Sequence, residues 1–289
     1  MNNTTKLCLL LCHRDVAMGE SCLNSIRRFC TQKLDFRIHD DGSLTAHDID
    51  ALLKHGDVEL VARQEADQRM DILLEKFPNC RKLRRSLPYA IKLLDTILLG
   101  NSDNYAYIDS DILFLRRFAN PFRANEYTSR SVFMRDRENS YCIRSWSCIQ
   151  DRRFRFPNRL NAGFIIFDRA LFDLDFAEWF LSRPETNAIP SMREQSTWAL
   201  LGKRVNCEIF DEDQVRVMRE GEPEDQLVAG HFTAKTRFLL PRYAEQSSAT
   251  DANTEPAVLR TKPCGNCSPL QIAWYEIRRL LRKLTGSNT

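Results

Sequence analysis

Apolar and polar positions change period several times along this chain, and each change marks an element. Lys6 to Cys12 is an apolar run, as expected of a strand buried on both faces. Cys22, Ile26, Phe29 and Cys30 then recur at helical spacing. Asp35 to His39 reads as a second strand ending at Asp40-Asp41-Gly42-Ser43, Ala46 to Lys54 as a helix, and Val58 to Ala62 as a third strand. Helical patterns cover Asp67 to Phe77 and Leu83 to Leu99, and Tyr105 to Ile108 is a fourth strand. Strands and helices in this alternation predict a mostly parallel sheet covered by helices. Past residue 112, Ser131 to Arg135 and Ala162 to Asp168 read as strands, and Ala170 to Leu181 and Met192 to Leu201 as helices. Tyr243 to Pro269 is rich in Ser, Thr, Ala and Pro without periodicity, which predicts a linker or loosely ordered strap. Leu270, Trp274, Ile277, Leu281 and Leu284 then fall at helical spacing and predict a basic amphipathic helix. The expected division is a catalytic domain over 1–242, a strap over 243–269 and a helix over 270–289.

With 289 residues, 43% of them hydrophobic, the chain can bury a sizeable α/β core. Its 42 basic and 39 acidic side chains leave a formal charge of only +3, which gives no general ground for nucleic-acid binding. The opening MNNTTKLCLLLCHRD has too short an apolar run for a signal peptide. No stretch reaches the roughly 18 apolar residues of a membrane span. The expectation is therefore a cytoplasmic protein whose ten cysteines are mostly reduced. Cys264-Gly-Asn-Cys267 is a lone CxxC, one pair short of the usual zinc set of about four ligands.

The chemistry concentrates at Tyr105-Ala-Tyr-Ile-Asp109-Ser110-Asp111. An apolar strand delivers two carboxylates at its C-terminal end, where ligands bind in open α/β sheets. Aspartates two apart face opposite sides of a regular strand, so they converge on one ion only if the chain turns at Ser110. Carboxylates together with diphosphate oxygens suit Mg²⁺ or Mn²⁺. Such an ion offsets the charge of a leaving diphosphate. The plain alternative is a solvated loop or a helix cap at Asp111.

Tyr107-Ile-Asp109-Ser-Asp111 resembles the metal motif of nucleotide-sugar-dependent glycosyltransferases of the GT-A fold. Asn161-Ala162-Gly163-Phe-Ile-Ile-Phe resembles the asparagine-small-glycine strand opening of glycosyltransferase family eight. Arg193-Glu194-Gln195-Ser-Thr-Trp resembles its acid-glutamine pair at a helix start, and His231-Phe-Thr-Ala-Lys235 its late histidine-lysine segment. The order agrees over roughly residues 5 to 240. In the family the lysine usually stands six residues after the histidine; here Lys235 stands four after it. Asp40-Asp41-Gly-Ser also resembles the early acidic loop of the inverting family two. The resemblance implies a GT-A-like, Rossmann-like mixed and mainly parallel sheet flanked by helices. It further implies metal-dependent, retaining transfer from a nucleotide-diphosphate sugar, a UDP-sugar, to a glycan or lipid-linked acceptor.

That resemblance gives the residues roles, each beside an ordinary reading. Asp109, Asp111 and His231 would hold Mn²⁺ or Mg²⁺, or His231 is a structural histidine, and Lys235 would meet the diphosphate. Asn161 would hydrogen-bond the donor sugar or the acceptor. Glu194 and Gln195 would line the sugar pocket, or Glu194 belongs to an ordinary first helical turn. Trp198 either stacks on a sugar ring or packs in the core. His13, Arg14 and Asp15 reach base or ribose, or Asp15 caps the next helix. Asp40 or Asp41 takes the ribose or base, or both belong to an Asp-Gly turn. Of the cluster Arg81, Lys82, Arg84, Arg85 and Lys92, one of Arg84, Arg85 and Lys92 is expected on the diphosphate. Under retention the leaving phosphate takes the acceptor proton; under inversion a carboxylate such as Glu194 is the general base.

The arginines at 135, 137, 144, 152, 153 and 155 are expected to form an acceptor wall for an anionic, phosphorylated or lipid-linked acceptor. Arg278, Arg279, Arg282 and Lys283 edge the C-terminal stripe, which either meets the inner face of a membrane or packs on the domain or another copy. A nucleotidyltransferase acting on sugar phosphates, and an inactive nucleotide-binding protein of the same fold, are the rival readings. The former normally carries a glycine-rich loop after the first strand, and none is present here.

Overall fold

A computed structural model describes residues 6–285, without the side chains of Lys283 and Thr285. Residues 1–5, the start of the segment weighed as a signal peptide, and 286–289, the end of the amphipathic pattern, lie outside the described residues, as does the Lys283 side chain.

β1 (Lys6–Leu11), α1 (Val16–Phe29), β2 (Asp35–Asp40), α2 (Ala46–Leu53) and β3 (Val58–Val61) follow in the expected order. α3 (Arg63–Leu73), α4 (Pro78–Ser86) and α5 (Ala90–Leu98) then lead to β4 (Asn104–Ile108). The single helix expected over Leu83 to Leu99 is two. Leu87 is extended, at φ −138° and ψ 115°, the conformation that a following proline favours. The helix expected from Asp67 begins earlier, at Arg63, and stops before Phe77, because Pro78 opens α4 in the first turn, where a missing N–H is tolerated.

The second half comprises β5 (Ile112–Phe114), β6 (Ser131–Arg135), α6 (Ser145–Gln150), β7 (Leu160–Asp168), α7 (Leu174–Ser182), α8 (Arg193–Arg204), β8 (Glu208–Phe210), β9 (Val215–Val217), β10 (Ala229–His231), α9 (Leu240–Ala249), β11 (Thr261–Pro263) and α10 (Pro269–Thr285). Several strands have three residues, too few to show a period of two. α7 starts later than expected because Asp173 caps it, its carboxylate accepting from the Phe176 N–H at 2.8 Å.

All eleven strands join one sheet, ordered β3-β2-β1-β4-β7-β6-β9-β10-β5, with β8 beside β6 and β11 added to β8. β1 to β4 run parallel to one another, whereas β7 is antiparallel to both β4 and β6. Alternate side chains of the central strands feed two cores. Leu7, Leu9, Ala106, Ile108, Phe164 and Ile166 enter one; Cys8, Tyr105, Tyr107, Ile165 and Phe167 enter the other. Both faces are therefore covered, as the apolar run of β1 requires. Trp198 packs in the second core, stacked on Tyr105 with ring centroids 5.6 Å apart, which makes it a core residue and not a sugar platform.

The segment 243–269 is tied to the domain. α9 buries Leu240, Tyr243 and Ser247, and β11 pairs antiparallel with β8. Main-chain bonds fix it between these, Ala257 N–H donating to the Arg117 carbonyl at 2.9 Å. Such edge pairing is made by backbone groups, and its side chains show no apolar signature. All ten cysteines are free thiols. Cys264 lies across from Cys207, its N–H 3.0 Å from the Cys207 carbonyl, and neither joins a cluster of three metal donors among the described residues. No described helix is long and apolar enough to cross a membrane.

Candidate active site

β4 ends at Ile108 and the chain turns at once. Asp109 N–H donates to the Gly163 carbonyl at 2.7 Å, and Ile112 N–H donates back to the Asp109 carbonyl at 3.2 Å. The turn brings both carboxylates to one side. β5 then leaves antiparallel to β10, with Ile112 opposite His231. That register sets the imidazole beside the acids: His231 Nε2 is 3.0 Å from Asp111 Oδ1 and 3.7 Å from Asp109 Oδ2. One donor atom from each of Asp109, Asp111 and His231 lies within 4.8 Å of the others.

This donor set fits a divalent cation: two carboxylates, one imidazole, and space kept clear of a side chain at Gly163. A Cβ there would come within 2.7 Å of His231 Cε1, 2.8 Å of its Nδ1 and 2.9 Å of Asn161 Oδ1. Only glycine admits the histidine in this position.

The acids are also held by fixed cations. Lys92 Nζ donates to both Asp109 oxygens at 2.9 and 3.0 Å, and the Tyr107 hydroxyl adds a bond to Oδ1 at 2.9 Å. Arg237 reaches Asp111 Oδ2 through Nε at 3.0 Å and through its terminal nitrogen at 2.8 Å. Burial alone would raise the Asp111 carboxyl, but His231 and Arg237 outweigh it and hold the group down at about 2. Burial opposes a charge on His231, yet Asp111 raises its pKa above the ordinary value. Lys92 is likewise buried and still raised, by Asp109 and Glu194.

α8 projects Glu194 and Gln195 into the same cleft. Burial pushes the Glu194 carboxyl up to about 7, with Lys92 3.9 Å away pulling the other way. Gln195 donates its amide to Asp136 and to the Ser140 carbonyl, each at 3.2 Å, and Asn161 donates to Asp136 at 3.2 Å. Asp136 thus spends both amide nitrogens, so Gln195 has an oxygen left to offer a ligand. Burial raises the Asp136 carboxyl despite these bonds.

One cleft of about 720 Å³ is lined by Asp109, Asp111, His231, Lys92, Asn161, Glu194, Gln195 and Lys235. Other expected residues lie outside it, among them Arg85, which pairs with Asp71 at 2.7 Å. His13 follows β1 and binds Asp48 through Nδ1 at 2.7 Å. Asp40 accepts from the Gly42 N–H at 2.7 Å, and Asp41 from the Ser43 N–H at 2.9 Å, which is the turn reading. Asp40 also lines a separate open cleft with Arg63 and Asp67, on the same C-terminal edge of the sheet. Arg84 is buried, bound to both Asp95 oxygens at 2.7 Å and to Asp67 at 2.6 Å; its guanidinium serves the core and does not face the cleft.

The expected arginine wall is divided. Arg137 lines the cleft, Arg144 meets Glu276 at 3.6 Å, Arg135 pairs with Glu212, and Arg152, Arg153 and Arg155 line a recess beside Trp179. Sequence reading missed Asp136 and Arg237. Asp136 carries no motif signal. Arg237 stands six residues after His231, the spacing of the resembled histidine-lysine segment, and it was the available clue.

No family model matches the sequence, and no curated protein matches it. Solved structures do. A galactosyltransferase, LgtC, in complex with donor and acceptor sugar analogues is 12% identical at a TM-score of 0.53, over 87% of this chain and 98% of that one. Mouse xyloside xylosyltransferase 1 in its apo form is 12% identical at 0.51, over 81% and 99%. The bifunctional glycosyltransferase WbbM in its apo form is 10% identical at 0.52, over 86% of this chain and 50% of that one. At such identities the likeness establishes the fold: the chain has the GT-A architecture of these enzymes.

Proposed function

We propose that the protein is a metal-dependent glycosyltransferase that moves a sugar from a nucleotide-diphosphate donor to a glycan or lipid-linked acceptor, with retention of configuration. The observation that carries this reading is the Asp109–Asp111–His231 cluster at the C-terminal end of β4, facing Glu194, Gln195 and Asn161 across one cleft. The carboxylate pair favours Mn²⁺ or Mg²⁺. A cation held there would offset the charge gathering on the departing diphosphate.

The chain's own groups supply the rest. Lys235, exposed at the cleft rim, would meet the diphosphate as a point charge. Lys92 and Arg237 hold the two aspartates in place. The oxygen of Gln195 would accept from a sugar hydroxyl. The nucleoside, a uridine in this reading, would run along the strand ends towards Asp40, Asp41 and His13. The C1–phosphate bond breaks, a bond forms from C1 to the acceptor oxygen, and a phosphate oxygen takes the acceptor proton.

One observation favours a second reading. A buried carboxyl at about 7 is matched to proton transfer near neutral pH, so Glu194 is a competent general base for an inverting reaction. The test is a screen of nucleotide sugars with Mn²⁺, reading donor consumption and then the anomeric configuration of the product. Consumption of a sugar donor in chelator at the full rate, or no consumption of any donor, overturns the proposal; an inverted product transfers the proton step to Glu194.

A further inference from the structure

α10 does not bury its apolar stripe. It docks on the domain through the opposite face, where Ile272 and Tyr275 are buried and Glu276 accepts from the Ser145 hydroxyl at 3.0 Å. Arg278 and Arg282 bind Glu138 on the same flank. Ile277, Leu281 and Leu284, which are 47%, 53% and 82% exposed, point away, and Leu270 and Trp274, 81% and 55% exposed, continue the stripe along the rim of a groove beside the domain. Single exposed apolar residues are ordinary, but five along one helix face form a patch that calls for a partner. The neighbouring α6, whose Ser145 makes that contact, adds exposed Trp146 and Ile149.

We propose that the outward face of α10, with Trp146 and Ile149, rests on an anionic lipid bilayer and holds the mouth of the catalytic cleft at the membrane surface. Charge selects this occupant. The helix carries Arg278, Arg279, Arg282 and Lys283 against Glu276 alone. Arg278 lies 5.3 Å over the Trp274 ring at the edge of the stripe, an aromatic-cation pair suited to the headgroup layer. Arg278 and Arg282 share the single carboxylate of Glu138, so the flank of the stripe keeps a net positive charge; a second copy would repeat that charge, whereas anionic lipid attracts it.

The position of the helix gives the contact its purpose. Tyr275 and Arg282 line the catalytic cleft. A second groove of about 510 Å³ shares Arg137, Glu138 and Tyr275 with that cleft and continues past Arg159 and Arg278 to Trp274 and Leu270. Arg137, Arg159 and Arg278 are paired with Glu222, Glu212 and Glu138; the phosphate of a lipid-linked acceptor would compete for them, with its first hydrocarbon units beside Trp274 and Leu270. That acceptor class rests on the transferase reading above; the docking of α10 does not.

The full-length protein is sedimented with vesicles of phosphatidylcholine alone and of phosphatidylcholine mixed with phosphatidylglycerol. The wild type is expected to pellet with the anionic vesicles at low salt and to be released as salt rises. The double variant Ile277→Glu, Leu284→Glu is expected to bind at least about tenfold more weakly, while its melting temperature and donor hydrolysis are unchanged, because neither residue lines the cleft. Quenching of wild-type tryptophan fluorescence by brominated lipid reports Trp146 and Trp274 without any substitution. Absence of both pelleting and quenching overturns the proposal. So does a dimer in light scattering that the double variant dissolves, since a second copy then covers the stripe. Donor consumption without vesicle binding removes only the docking; vesicle binding without consumption of any donor removes only the transferase reading.

Discussion

His231 meets Asp111 with Nε2 3.0 Å from Oδ1, although 120 positions of chain separate them, because β10 lies against β5 in the register that sets His231 opposite Ile112. The two side chains are therefore neighbours across a strand pair.

Asp109→Asn and Asp111→Asn are expected to lower turnover by roughly a hundredfold or more, the scale of losing one group that stabilises developing charge. Activity should also vanish in chelator and return with Mn²⁺ or Mg²⁺. Donor hydrolysis and circular dichroism check this together. Wild-type turnover in either folded variant rejects the assignment.

His231→Ala and Lys235→Ala should separate. The first raises the Mn²⁺ concentration for half-maximal activity, since an imidazole nitrogen is lost from the cluster. The second lowers kcat with near-normal metal dependence, because Lys235 stands at the rim without joining that cluster. Metal titrations of both variants decide the division of roles.

Gly163→Ala places a methyl group where His231 and Asn161 stand, at 2.7 to 2.9 Å. The histidine must rotate, and metal affinity should fall by about tenfold or more, as displacing a group that orients a ligand does. Direct Mn²⁺ binding by calorimetry measures it. A wild-type affinity would mean that His231 is not a ligand.

Glu194 gives opposite pH signatures for the two stereochemical readings. If it is the base, kcat/KM rises as pH passes about 7, and Glu194→Gln removes that limb. If the reaction retains configuration, the limb is unaffected by the substitution. Stability has its own sign. The folded carboxyl binds its proton more tightly than the ordinary value of 4.5, so stability is greatest below that value and declines as pH rises to about 7. Glu194→Gln should flatten that decline in pH-dependent melting curves.

Arg84→Met removes one partner of a buried ion pair and leaves Asp95 alone in the core. The expected cost is about 3–5 kcal/mol of stability. The KM for donor should be unchanged in whatever fraction stays folded, and urea unfolding with donor kinetics tests both parts. A selective rise in KM would return Arg84 to the diphosphate.

The sequence by itself determined the parallel half of the sheet and the place of the acidic pair. β1, β2, β3 and β4 are each contiguous, with apolar patterns that local spacing exposes, and a strand that ends in Asp109-Ser110-Asp111 puts carboxylates at the ligand edge. Tertiary structure decided what comes from afar. β10 has three residues and no readable period, so only its pairing with β5 brings His231 to Asp111. Arg237 and Lys92 look alike as charges in a sequence, yet one binds Asp111 and the other Asp109, while Arg84 is consumed by Asp95. α10 shows the same limit: its period predicts an apolar stripe, but which face meets the domain depends on Ile272, Tyr275 and Glu276 finding partners there. A local pattern records which side chains share a face; the rest of the chain decides what that face touches.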